Sequence, residues 1–476
     1  MAALEQKSVL MARRREGVFM RLMEPGIGSG TRGNVNLREN LAKPKRDILE
    51  DVLPSFQKVA TARCAAVPQL REFPFDGISG MVRESFPFAM MIRPLLIPGL
   101  VLLVFSSVGV AVDAPAAKPK PEFQYQSGNI AVPAATADEP RVAKFDASTA
   151  RAARRYLDDG ALSWVREKSC INCHTTGPYL SERPALSPLM GKPNAEVLAD
   201  FIESIPKGSA TETEKNGHKY VPGSWTAVWC ALGLAEWDKH VNLSLSDHTD
   251  RALRQMMLRQ SPNGAFVSYG EVEIPHITTD FELTLQAVRA ITAAPGWLEG
   301  LKDEELLGRL EKMKSWLREA RPANDFDRVL RLQLAHYLPE LVSPTDKEAA
   351  LALLSSKQHD DGGWSTRDMS TIEDWHFEMS KTVVDLIKGL PDAAKPESDA
   401  YMTALAIVLM RQSDIAASDP RIQRGLDWLK REQRVSGRWW MHSLYRGNYH
   451  YITYIATSQA IKALALCGEL PDIAAQ

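Results

Sequence analysis

From about residue 147 to the end of the chain, apolar residues recur at helical spacing in roughly twelve segments. They cover about 147–168, 194–205, 223–238, 248–260, 279–294, 303–320, 324–338, 346–357, 379–390, 399–412, 418–433 and 450–467. No stretch alternates convincingly at the period of two that marks a half-buried strand. The pattern predicts an all-α domain. Helix-end chemistry agrees with it. Ser246-Asp247 can cap the segment that starts near 248. Ser418-Asp419 can cap the next-to-last one, with Pro420 at its first helical position. Gly468 follows the last one, where a C-terminal stop belongs.

Three segments end alike. Arg251-Ala252 and Gln255-Met256 lead to Gln260 and then to Gly264-Ala265-Phe266. Leu353-Leu354 leads to Gln358 and then to Gly362-Gly363-Trp364. Trp428-Leu429 leads to Gln433 and then to Gly437-Arg438-Trp439. The common frame is an apolar pair, three residues, glutamine, three residues, glycine, one residue and an aromatic. A single copy reads as a helix with a glycine stop; three in register mark a repeat architecture. Glycine supplies the positive φ that ends a helix. The glutamine amide can serve backbone groups left open at a helix end. The aromatic would pin the turn on a neighbouring hairpin. Trp316-Leu317 begins a weaker copy.

This frame resembles the glutamine–tryptophan repeat of the squalene–hopene cyclase and protein prenyltransferase superfamily. The resemblance covers roughly residues 147–470. It implies an α/α toroid of helical hairpins, with inner helices round a central cavity. The repeat-bearing helices would be outer. The more apolar 223–238, 279–294, 324–338, 399–412 and 450–467 would be inner, offering Trp225, Trp229, Phe281, Tyr337, Tyr401, Tyr451 and Tyr454 as core or as lining for an apolar small molecule. The resemblance does not carry its usual chemistry across. The Asp-x-Asp-Asp acid of the cyclases is absent, since Asp158-Asp159 and Asp360-Asp361 lack a third member. Asp280 and Glu282 could face the cavity, or simply complement a helix N-terminus. The prenyltransferase zinc set is not recoverable around Cys230.

Composition is ordinary: 45% hydrophobic, 24% charged, net charge −2. That balance gives no reason to expect a nucleic-acid partner. The five cysteines are too sparse for a disulfide scaffold. Cys230 and Cys467 sit in apolar helical patterns and read as core residues, which leaves Cys170 and Cys173 as the only local pair.

That pair stands in Cys170-Ile171-Asn172-Cys173-His174, the layout of covalent c-type haem attachment. Two thiols reach the two vinyl groups of one porphyrin, and the adjoining His174 offers a nitrogen to the iron. The alternatives are a disulfide, a lone dithiol, or half of a metal site. The expected cofactor is covalent haem c, held by Cys170, Cys173 and His174. The motif also falls in the turn of a degenerate first repeat, with Trp164-Val165 as its apolar pair and Cys173 where glycine stands elsewhere. Gly177-Pro178 just beyond reads as turn material. For a second iron ligand, Met190 in Pro188-Leu189-Met190-Gly191-Lys192-Pro193 resembles the methionine loop of cytochromes c. His218, His276, His442 and His450 are rivals, and an open site is a further alternative.

The N-terminal third lacks a packing pattern. Residues 1–89 show no sustained periodicity, and no apolar stretch follows Arg13-Arg14-Arg15 closely. They read as disordered, and as lying ahead of the natural start. Met90-Met91-Ile92-Arg93 precedes an uncharged, mostly apolar run from Pro94 to Val112 that closes on small residues. This is a signal-peptide layout at 90–112, with an uncleaved anchor as the alternative. Residues 113–146 read as an Ala/Pro-rich linker, with the ordered domain starting near Ala147. The combined expectation is an exported, periplasmic or secreted redox toroid with a redox partner protein. The alternatives are a non-redox scaffold toroid or a cyclase-like enzyme with an unrecognised acid.

Overall fold

The computed structural model describes residues 122–474, apart from 209, 216, 269, 272–273, 276–277, 379, 391–395 and 445–450. The readings of residues 1–112 therefore lie outside the described residues, as do His276 and His450.

The fold is all-α, an α/α toroid. Six inner helices form a closed ring: α2 (Thr176–Glu182), α4 (Ser224–Trp237), α6 (Asp280–Ala293), α8 (Asp325–Tyr337), α11 (Ala400–Gln412) and α13 (Tyr451–Leu466). Each packs on the next, and α13 packs back on α2. The outer layer is α1 (Ala147–Lys168), α3 (Ala195–Glu203), α5 (Asp247–Met257), α7 (Glu304–Glu319), α9 (Pro344–Ser356) and α12 (Pro420–Glu432). In chain order each outer helix precedes the next inner one, through short turns before α2 and α8 and longer segments elsewhere. The repeat-bearing segments are outer and the strongly apolar ones inner, as the alternation predicts. α10 (Lys381–Lys388) stands outside these pairs, with Leu386 70% exposed.

The repeat frame turns out to be a staple between hairpins. Gly264, Gly362 and Gly437 have φ of 101°, 95° and 91°. A Cβ on Gly264 would lie 2.3 Å from the Lys312 carbonyl, and one on Gly437 would lie 2.3 Å from Ala152. Each glycine thus lets its turn touch the backbone of the following outer helix. The glutamine amide bridges the same seam. Gln260 donates to Gly264 O at 2.8 Å and to Arg309 O at 3.0 Å. Gln358 donates to Gly362 O and Arg421 O, both at 2.9 Å. Gln433 donates to Gly437 O at 3.0 Å and to Thr149 O at 3.1 Å. The last of these joins the final repeat to α1 and closes the outer layer. The aromatics then tie the turn inward. The amides of Phe266, Trp364 and Trp439 donate to Thr284, Thr403 and Thr457 on inner helices, at 2.9 to 3.0 Å. The Trp364 and Trp439 indoles return to Leu354 O and Leu429 O at 2.7 Å. The degenerate first copy keeps the logic: Ser169, left-handed at φ 43°, replaces the glutamine and bonds Asp200 of the next outer helix at 2.8 Å.

Two readings need correction. Gly177-Pro178 is not a turn but lies in α2, every residue of which is buried. Pro178 is tolerated because first-turn N–H groups have no intrahelical acceptor. Gly177 is needed because a Cβ there would lie 2.3 Å from Asn172 O and 2.9 Å from the Trp229 ring. The stretch read as linker also carries structure. Strands β1 (Phe123–Ser127) and β2 (Ile130–Pro133) form an antiparallel hairpin that packs on α1. Its anchor is Tyr125, 3% exposed, which sits beside Tyr156 and Tyr454. A second small hairpin pairs β3 (Thr213–Lys215) with β4 (His218–Tyr220).

Candidate functional site at the ring rim

The Cys-x-x-Cys-His stretch forms the entry to α2. Asn172 builds the turn: its side-chain oxygen accepts from the amides of His174 at 3.0 Å and Thr175 at 2.6 Å. Its carbonyl accepts from Gly177 at 2.9 Å. Trp164 brackets the turn from α1, donating from its indole to Cys170 O at 3.1 Å. Its ring lies edge-on to the His174 imidazole, with centroids 4.8 Å apart. His174 is 8% exposed, and its Nδ1 lies 3.0 Å from Thr175 Oγ1.

Cys170 and Cys173 are half-buried and not joined in a disulfide. Burial pushes the Cys173 thiol up to about 12, the Glu282 charge adding to it, with the Trp225 side chain within hydrogen-bond reach. Two unbridged thiols and the adjoining imidazole are the donor set that a covalently held haem would take. Among the described residues, no group of three or more His, Cys, Asp or Glu side chains is arranged to hold a metal ion. The contact to Thr175 engages Nδ1, so a metal held by this imidazole would be held through Nε2.

The structure does not bring Met190 to His174. Met190 is 1% exposed, and its carbonyl is held by Arg183 at 2.9 Å and by Arg154 at 3.3 Å. Arg183 follows the C-terminal end of α2, whereas His174 precedes its N-terminal end. Its loop is therefore a structural corner that buries a methionine. His218 sits elsewhere too, with Nε2 3.0 Å from Ser268 O and Nδ1 3.9 Å from Glu378. His442 stacks on Trp440, with ring centroids 6.0 Å apart.

Carboxyls gather where α6 and α8 begin. Burial raises Asp280 to about 6, Glu282 to about 7 and Glu271 to about 8, with the Asp327 charge contributing to each. Thr279, the cap of α6, donates to Asp327 at 2.6 Å, and Asn324, the cap of α8, donates to Glu271. Sequence reasoning left Asp280 and Glu282 either facing the cavity or complementing a helix N-terminus, and missed Glu271 and Asp327. A folded carboxyl raised above its usual value binds its proton more tightly than the unfolded chain does. The native state is therefore favoured below the ordinary Glu value of 4.5 and loses that advantage as pH rises to about 8. Urea unfolding should show this decline, and Glu271→Gln should flatten it between pH 5 and 9. A decline of the same slope in the variant would show that Glu271 is not a source of it.

The ring axis itself is polar. Arg289 of α6 reaches across to Glu182 of α2 at 2.9 Å and lies 3.6 Å from Glu236 of α4. It also donates to Gln286 at 2.8 Å, which in turn donates to Glu282 at 2.6 Å. Lys462 of α13 meets the other oxygen of Glu182 at 2.6 Å. The charges of Glu282, Glu182 and Arg289 all reach the buried Tyr401 of α11. Side chains from α2, α4, α6 and α13 thus form one buried polar hub. Of the aromatic residues read as lining, Trp229, Phe281, Tyr401 and Tyr454 are buried.

No family model matches the chain, and neither does any curated protein. Among solved structures the chain is similar to a glycosidase variant in complex with glucose, at 11% identity and a TM-score of 0.33, covering 68% of this chain and 87% of that one. A wild-type glycosidase gives 10% identity, the same coverage and a TM-score of 0.33.

Proposed function

We propose that this chain is an exported haem-bearing toroid that handles single electrons at one rim of its ring. Cys170 and Cys173 would hold a haem c through two thioethers, and His174 would be its proximal ligand. The observation that carries the reading is the turn at the head of α2. Its two cysteines are unbridged, and its histidine is oriented by Trp164 and Thr175 with Nδ1 already occupied. When bound, the group supplies a reversible one-electron couple. The chain's own residues do the rest. Asn172 shapes the turn, Thr175 orients the imidazole, and Trp225 and Trp229 enclose the inner side next to Cys173 and Gly177. Electrons would pass to a partner protein or to a small molecule at the same rim. A small polar molecule suits the interior better than an isoprenoid, because apolar chains would strip water and partners from the Glu282–Arg289 hub.

Protein made in cells competent for cytochrome c maturation should be coloured, with c-type bands on reduction that survive acid–acetone extraction. Cys170→Ala combined with Cys173→Ala should lose all covalent haem and remain folded. Colourless wild-type protein from such cells, with intact thiols or a Cys170–Cys173 bridge by mass spectrometry, would overturn the reading and leave a non-redox toroid.

A further inference from the structure

The hairpin that precedes the ring reaches into this site. Tyr125 Oη lies 3.0 Å from Thr175 Oγ1, the same atom that lies 3.0 Å from His174 Nδ1. Thr175 is fully buried and Tyr125 is 3% exposed, so neither bond competes freely with water. Tyr125 is held on two sides. Its ring lies edge-on to Tyr454 at 5.7 Å and beside Tyr156 at 6.4 Å. Gly160 of α1 makes room for it, since a Cβ there would lie 3.0 Å from the Tyr125 ring and 2.7 Å from that of Tyr454. Tyr454 is fixed in turn by donating to Leu157 O at 2.7 Å.

We infer that Tyr125, acting through Thr175, is a positioning residue that sets how strongly His174 donates to an iron. An imidazole bound through Nε2 carries its proton on Nδ1 and donates it to Thr175. With that proton accepted, the threonine hydroxyl donates onward to Tyr125 Oη, which makes its oxygen the stronger acceptor for the imidazole. Outer partners of this kind raise the basicity of a ligating imidazole. A more basic imidazole favours the ferric state. The inference rests on the haem reading for one of its two readouts and is independent of it for the other.

In haem-loaded protein, Tyr125→Phe should leave attachment intact and raise the midpoint potential. Thr175→Val should raise it further. Tyr156→Phe, which alters a neighbour bonded to Gln124 rather than to Thr175, should leave it unchanged. In protein without haem, nitrogen-15 resonances of the His174 ring should move in Tyr125→Phe and stay in Tyr156→Phe. Unmoved resonances together with an unmoved potential in Tyr125→Phe would sink the relay. A wild-type protein that takes up no haem would sink the proposed function instead, and the histidine resonances would still decide the relay.

Discussion

Truncating Trp364 or Trp439 to alanine should each cost the ring about 3–5 kcal/mol, the range for a large buried aromatic. Both side chains are fully buried. Each has two jobs beyond filling volume. The indole N–H satisfies a carbonyl near the end of its own outer helix, Leu354 O or Leu429 O. The ring also holds the turn so that its amide meets Thr403 or Thr457 on the inner helix. Alanine would leave a cavity and a buried carbonyl without a donor. Phenylalanine should recover most of the packing but not the bond, so Trp364→Phe should fall between the two. Phe266 marks the same place in the second repeat without an indole, so Phe266→Ala should cost less than either tryptophan truncation. Urea midpoints at constant m-value would measure all of these, and unchanged midpoints in both alanine variants would remove the staple from the account.

Arg289→Met should be of similar size, about 3–5 kcal/mol, for a different reason. Arg289 is 4% exposed and faces Glu182 and Glu236, each about as buried. Burial alone would disfavour the cation, and the charges of Glu182 and Glu236 outweigh it. Burial likewise opposes ionisation of Glu236, yet the His240 bond and the Arg289 charge hold its carboxyl below the usual range. Remove the guanidinium and two buried carboxylates remain, Lys462 bonded to Glu182 and His240 to Glu236. The variant should therefore gain stability, relative to the parent, as pH falls and Glu236 takes a proton. Adding Glu236→Leu should restore part of the loss, because an apolar replacement of a buried pair is far milder than stranding one partner. A double variant no better than Arg289→Met would show that the hub contributes through packing rather than charge.

The outer layer was legible because each repeat carries its own signal. Gln260, Gln358 and Gln433 stand at one spacing from Gly264, Gly362 and Gly437, and the long amphipathic helices between them have the right period. The cysteine motif was equally local. What escaped depends on residues far apart in the chain. α2 has only seven residues, buried on every side, so it shows no polar face to set a period. The first hairpin has five- and four-residue strands, and its one strong anchor, Tyr125, finds partners only after the ring closes. Met190 looked like a ligand because its flanking prolines and glycine fit a familiar loop; Arg154 and Arg183 hold that loop at the other end of α2. The hub was hidden because a charge on a helix normally reads as a solvent face. A sharper signal was present: Glu236 interrupts a helix that is apolar nearly all round, which is where a charge must have a partner.

The seam between Gln433 and Thr149 changes what kind of object this is. Open stacks of repeats have two outermost units, which fray first and need special capping surfaces. Here the bond spans 284 positions and gives the final unit the first as its neighbour. Fraying has no natural starting point, and the hairpins should melt as one body rather than unzip. The same seam makes the two ends of the folded region hostage to each other: a protease that removes the backbone before Ala153 takes away the surface against which Gly437 and Trp439 are set.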